Sequence, residues 1–148
     1  MAVDGRICTV VPVESVGEAA RLALSLPTGC VELRLDFYRG DPREAYMELS
    51  TILNRPARVV ATLRSRGHGG LDRRPRGERA SLLSRLEDLA PKGWLVDFEV
   101  EDLAASGGCS GCIASSHPKG LQPPPRLSKP LPRPRGGGPP YTSWYTPA

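Results

Sequence analysis

Between residues 7 and 117 the hydrophobic positions keep switching between two rhythms. Short apolar, β-branched runs alternate with longer stretches in which apolar residues recur every three or four positions. Residues 7–11 (ICTVV) form the first run, ended by Pro12. Residues 14–26 follow, with Val16, Ala19, Ala20, Leu22, Ala23 and Leu26 on one broad face, the pattern of an amphipathic helix. Pro27-Thr28-Gly29 stops it. The same reading predicts strands over 30–37, 57–63, 94–100 and 111–116, and helices over 41–53 and 77–89. A Gly- and Arg-rich loop spans 65–76, and a short crossing element contains Leu103, Ala104 and Ala105.

Strands that alternate with helices of about a dozen residues make βαβ units and a parallel sheet. A doubly wound sheet and the first part of a (β/α)8 barrel both fit that order. The barrel is favoured by polar residues inside strands two to five or at their C-terminal ends: Glu32, Arg34, Asp36, Arg64, Asp97, Glu99, Ser115 and His117. In a barrel that end assembles the active site. Charge left there without partners is costly, so these groups are expected to meet one another or a ligand. Asp97 and Glu99 flank Phe98 and point the same way; they are expected to serve a supporting network around the site.

The length of 148 residues suits one domain or part of a larger one. No run approaches the roughly 18 apolar residues of a membrane span, and no charged start leads into an apolar segment of the secretory kind. Four irregularly spaced cysteines do not staple a small secreted fold and are expected as thiols in a reducing cytoplasm. Cys109 and Cys112 form a single CxxC without a second ligand pair, expected as two thiols near a loop rather than a metal site. Arg73, Arg74, Arg76 and Arg79 are expected on a solvated loop that also attracts anions.

Composition divides the chain near residue 118. Residues 1–102 hold all 16 acids and 15 of the 20 Lys and Arg, whereas 103–148 hold five basic residues and no acid. The formal charge of +4 therefore comes from the tail, and nucleic acid is not the expected partner of the rest. Ten prolines fall within 118–148, which is expected to be irregular, as polyproline II or disorder. The organisation expected is 1–117 as an ordered α/β unit and 118–148 as a Pro/Arg/Gly-rich tail.

Four segments, VELRLD (31–36), TLRS (62–65) followed by Gly69-Gly70, VDFEV (96–100) and IASSHP (113–118), fall on successive strands, with ICTVVPVES (7–15) ahead of them. In order and spacing they resemble type I 3-dehydroquinate dehydratase. The resemblance implies a (β/α)8 TIM barrel, of which about the first five strands are present here. It implies a cytoplasmic lyase that turns 3-dehydroquinate into 3-dehydroshikimate in the shikimate pathway of aromatic amino-acid biosynthesis. It also implies no cofactor and no metal, and a homodimer where the barrel is complete.

In that family a lysine Schiff base acidifies the neighbouring C–H, and a histidine that titrates near neutrality moves the proton. By position, His117 resembles that general acid/base. Glu32 and Arg34 resemble the family's substrate-binding Glu-x-Arg pair, and Arg64 the substrate-facing arginine after the third strand. His68 stands where the family usually carries a glutamate, so it can replace the hydrogen bonding but not the fixed charge. Thr9 or Val10 stands where the first strand often presents a small hydroxyl.

The family's Schiff-base lysine lies on the sixth strand, for which the window here is 142–147, and that window has no lysine. Lys119 and Lys129 lie in proline-rich sequence unsuited to a central strand. Strands seven and eight are missing, and five strands do not close an eight-stranded barrel. The 148 residues are therefore expected to be the truncated N-terminal part of a dehydratase, inactive as written. The tail has the composition of GC-rich coding sequence read out of frame, which makes a frameshift near residue 118 the working hypothesis. An alternative of another class is a non-catalytic interaction protein whose Pro130, Pro132 and Pro134, with Arg133 and Arg135, dock on an aromatic groove or acidic surface.

Overall fold

A computed structural model describes residues 8–27, 29–54 and 58–117, together with the backbone of a strand at 142–145. Strands β1 (Thr9–Pro12), β2 (Cys30–Arg34), β3 (Arg58–Thr62), β4 (Trp94–Glu99) and β5 (Cys112–Ser116) alternate with helices α1 (Val16–Ser25), α2 (Pro42–Ile52), α3 (Arg76–Leu89) and α4 (Val100–Ser106). Single 310 turns at Leu35–Phe37 and Arg66–His68 follow β2 and β3.

Local chemistry explains where the helices begin. The Ser15 side chain accepts the Glu18 N–H at 3.3 Å to cap α1. Asp41 accepts the Arg43 N–H at 2.9 Å to cap α2, with Pro42 in the first helical position, where its missing N–H costs nothing. Helix α4 stops at Gly107, which turns the chain at φ 79°.

All strand pairs are parallel, in the order β1-β2-β3-β4-β5 and onward to β6 (Thr142–Tyr145). A doubly wound sheet reverses its strand order part-way; this one never does. Successive helices pack on one another, α1 on α2, α2 on α3 and α3 on α4, all against the same face of the sheet. The sheet is thus singly wound and parallel throughout its described strands, which fits the barrel alternative and not the doubly wound one.

Register sorts the side chains between the two faces. Val31, Leu33, Val59, Ala61, Val96, Phe98 and Ala114 face the helices and are buried. Burying each larger aliphatic or aromatic side chain contributes roughly 1.5–3 kcal/mol. Tyr46 of α2 meets Trp94 of β4 edge to face, with ring centroids 5.4 Å apart, and so ties helix layer to sheet. On the opposite face, Glu32 is in register with Val60, Arg34 with Thr62, Thr62 with Asp97 and Glu99 with Ser115. Among the described residues no helix is long and apolar enough to cross a membrane.

Two expectations need correction. The stretch after residue 118 is not irregular throughout, because Thr142–Tyr145 pairs in parallel with β5. β5 offers an unpaired row of backbone groups, and Thr, Trp and Tyr have high strand propensity; the proline content of the tail masked this short run. The other tail positions, 118–141 and 146–148, lie outside the described residues. The cysteines are not thiols either, since Cys8 is bonded to Cys30 and Cys109 to Cys112. Thr9 pairs with Val31, which sets Cys8 beside Cys30 with Cα atoms 4.4 Å apart, within bridging reach. A separation of 22 residues in sequence hides that proximity.

Candidate active site

The site is built where strands β2 to β5 end. After β3 the chain folds back on itself: Gly70 N–H bonds the Ser65 carbonyl at 2.8 Å and Asp72 N–H the Arg64 carbonyl at 3.1 Å. Gly69 takes φ +85°, and a Cβ on Gly70 would lie 2.1 Å from the Arg64 carbonyl oxygen. The backbone alone therefore accounts for both glycines, Gly69 by its left-handed φ and Gly70 by the close approach of the Arg64 carbonyl.

Asp36 clasps this loop to β2. Its carboxylate takes a two-pronged bond from Arg34, at 2.8 Å for each nitrogen, and also accepts the Leu71 N–H at 3.1 Å and the Arg64 N–H at 3.3 Å. Burial works to raise its pKa, but the Arg34 bond and the two N–H groups outweigh it and hold the carboxyl below its usual range. The Arg34 guanidinium also lies 5.3 Å above the Phe37 ring.

Arg64 is buried at the centre. It donates to Ser115 Oγ and to Asp97 Oδ2, each at 3.2 Å, and lies 3.6 Å from Glu32. Burial pushes the Asp97 carboxyl up to about 6 against the pull of Arg64. Asp97 Oδ1 is buried and meets no donor among the described residues.

Glu99 accepts the Ser65 N–H and hydroxyl, both at 2.8 Å. His68 sits with Nε2 3.4 Å from Glu101 and 3.8 Å from Glu99, while its Nδ1 accepts the His117 N–H at 3.1 Å. The two imidazole centroids are 6.4 Å apart. Burial, reinforced by Arg64 and His68, lowers the His117 pKa to about 4, so that ring is neutral at pH 7. His68 is shifted the other way, upward, chiefly by its bond to Glu101.

His68 Nε2 and one oxygen each from Glu99 and Glu101 lie within 4.8 Å of one another, a spacing that would suit a cation. The chemistry of the ring tells against it. A neutral imidazole that accepts at Nδ1 carries its proton on Nε2, which is then a donor to the carboxylates and not a ligand.

The structure thus brings Glu32, Arg34, Arg64, His68, Asp97, Glu99 and His117 together at one end of the sheet. Thr9 is left out. Val10 shares the face of Glu32 and is half exposed, so Thr9 points the other way. Lys92, the only lysine among the described residues, precedes β4 and lies at the opposite end. Lys119 and Lys129 are outside the described residues.

Arg79 corrects the reading of a solvated arginine loop. It is 2% exposed and donates to Asp102 at 2.9 Å, to the Leu63 carbonyl at 2.7 Å and to Asp72. The signal was present in the sequence, since Arg79, Leu83 and Leu86 share the buried stripe of α3 at helical spacing. Arg66 and Arg73, by contrast, are exposed and line a cleft of about 450 Å3 beside His68.

No protein-family model matches the chain. A 3-dehydroquinate dehydratase from Aeropyrum pernix is 77% identical over 118 residues, covering 80% of this chain and 53% of the relative. Over those residues the chain is similar to 3-dehydroquinate dehydratase. A second dehydratase, from Pyrobaculum aerophilum, is 34% identical over 116 residues, 75% of this chain and 37% of its own length. The chain thus spans about half the length of the first of these curated relatives and little more than a third of the second.

Two solved dehydratase structures share the fold. The type I enzyme from Clostridium difficile superimposes with a TM-score of 0.59 at 18% identity, over 74% of this chain and 49% of that one. The Enterococcus faecalis 3-dehydroquinate dehydratase gives 0.55 at 18% identity, over 74% and 52%.

Proposed function

We propose that residues 1–117 are the first part of a type I 3-dehydroquinate dehydratase barrel and carry the substrate-gripping and proton-transferring half of its site. One observation carries this reading: buried Arg64, held by Asp97 and Ser115 beside Glu32, at the ends of successive strands. An arginine fixed in this way presents donors in a set geometry to the hydroxyls of a polyol acid. The unsatisfied Asp97 Oδ1 accepts from such a hydroxyl, and Glu32 and Arg34 line the same face.

His117 is the general acid/base. Being neutral, it takes the proton next to the substrate carbonyl carbon, and the resulting imidazolium returns a proton to the departing hydroxyl, which leaves as water. His68 and Glu99 support it from behind. The Schiff-base amine belongs to the sixth strand of the barrel, and β6 (Thr142–Tyr145) offers no lysine there. The relative from Clostridium difficile is described as holding covalently modified comenic acid, in keeping with covalent chemistry in that fold. Without the Schiff-base amine the 148 residues bind substrate and do not turn it over; a frameshift near residue 118 is the working hypothesis for the composition of the tail. A cytoplasmic setting and a homodimer of completed barrels belong to the same reading.

The test is calorimetric titration of the chain with 3-dehydroquinate, followed by borohydride reduction and intact mass. Binding that Arg64→Ala weakens tenfold or more, with no mass adduct, supports the reading. Absence of binding at millimolar substrate overturns it. A trapped adduct overturns the claim that the nucleophile is missing, and peptide mapping then assigns it to Lys119 or Lys129.

A further inference from the structure

We propose that His68 positions His117 through its own protonation state: the neutral ring latches the main chain at residue 117, and the ring that takes up a second proton releases it. The latch is the 3.1 Å bond from the His117 N–H to His68 Nδ1. An imidazole nitrogen accepts only while it carries no proton, so the observed contact fixes His68 as the tautomer protonated at Nε2. That N–H points at Glu101, 3.4 Å away, with Glu99 at 3.8 Å.

A second proton can go only to Nδ1, where it would face the His117 N–H donor against donor. Every element packed around the ring bears on this choice. Glu99 at the end of β4 and Glu101 on α4 favour the doubly protonated ring, and Arg64 after β3 opposes it. Arg76 and Arg79 of α3 temper the two carboxylates through contacts of 3.7 Å to Glu101 and 3.5 Å to Glu99. His117 itself adds no charge at neutral pH.

The carboxylates prevail, and the affinity of His68 for its second proton is raised. The ring is thus held between two demands, a proton for Glu99 and Glu101 and a lone pair for the His117 backbone. Residue 117 is the first beyond β5, so the latch extends the order of the strand by one residue, to the histidine itself. Its consequence for proton transfer rests on the functional reading above; the latch itself does not.

The test is a heteronuclear NMR titration of the substrate-free chain between about pH 8 and pH 5, which follows the His117 amide and both imidazoles. The expected result is an unprotonated His68 Nδ1 at the alkaline end. The His117 amide proton should then move upfield in one step that coincides with the His68 titration. His68→Asn places a non-titrating carbonyl where Nδ1 was, and there the His117 amide should stay flat across the range. His68→Gln moves the amide group to the Nε2 position, and the His117 amide should sit upfield at every pH.

A His117 amide that ignores the His68 titration overturns the proposal, as does a proton on Nδ1 at the alkaline end. The remaining amide spectrum reports whether each variant keeps the fold. Because no substrate is present, a failed latch leaves the dehydratase reading standing, and failed substrate binding leaves the latch standing.

Discussion

The two faces of the one sheet are buried by different physics. Toward the helices, Val31, Leu33, Val59, Ala61, Val96 and Phe98 are held by exclusion of water and close packing, forces without direction. On the other face, Glu32, Arg34, Arg64, Asp97, Glu99 and Ser115 crowd the strand ends and are held by paired charges and hydrogen bonds that act only in one geometry. The first face fixes the architecture. The second uses that rigidity to hold groups that would repel or stay hydrated elsewhere.

The comparison is broken most directly on the helix-facing side. Leu33→Ala should cost about 2–5 kcal/mol in urea denaturation, while under the proposed function the folded variant binds 3-dehydroquinate as well as the parent chain does; a loss of that binding in protein shown to be folded would mean the two faces are not separable. Next in size is the covalent tie at the edge of the sheet. Cys30→Ser removes a cross-link that closes a 22-residue separation, and the chain-entropy model assigns such a loop about 3 kcal/mol. Adding reductant should lower the urea midpoint of the parent chain more than that of Cys30→Ser, which keeps only the short Cys109–Cys112 link to lose.

On the polar side, Gly70→Ala drives a methyl group into the Arg64 carbonyl. It should cost about 1–3 kcal/mol as an overpacked site and should weaken substrate binding more than Leu33→Ala does, because the group displaced is Arg64.

The smallest effect is a cancellation. His117, lowered from 6.5 to about 4, binds its proton in the unfolded chain first, so stability is complete above pH 6.5 and falls as pH drops from there toward 4. Asp97, raised from 3.8 to about 6, binds its proton in the folded chain first, so stability rises as pH drops from 6 toward 3.8. The two slopes oppose each other across nearly the same window, and the urea midpoint should change little there. Asp97→Asn removes one slope and should expose a loss of stability on acidification; a variant as flat as the parent would show that His117 is not depressed.

Most of the architecture was legible along the chain because strands and helices announce themselves by period. The helix expected over 41–53 is α2 (Pro42–Ile52), and the strand expected over 94–100 is β4 (Trp94–Glu99). The clustering of charge at strand ends was legible for the same reason, since in-register residues of parallel strands share a face.

What stayed hidden depends on contacts between positions far apart in sequence. Asp36 was visible as a polar residue at a strand end, but not as the clasp that receives Arg34, Arg64 and Leu71 together. His68 and His117 are 49 positions apart, and nothing local announces that one binds the backbone of the other. Arg79 was missed although its helical spacing placed it on the buried stripe, because a run of neighbouring arginines suggested solvent.

The bond between Cys8 and Cys30 has a consequence beyond its contribution to stability. Among the described strands β1 lies at one edge of the sheet, and an edge strand has a single neighbour along which it can slide. A slip of one residue would turn Val11, which packs against the helices, outward and bring Val10 in. A covalent link between in-register positions forbids that slip, so the oxidation state of two cysteines decides how firmly the sheet knows its inside from its outside.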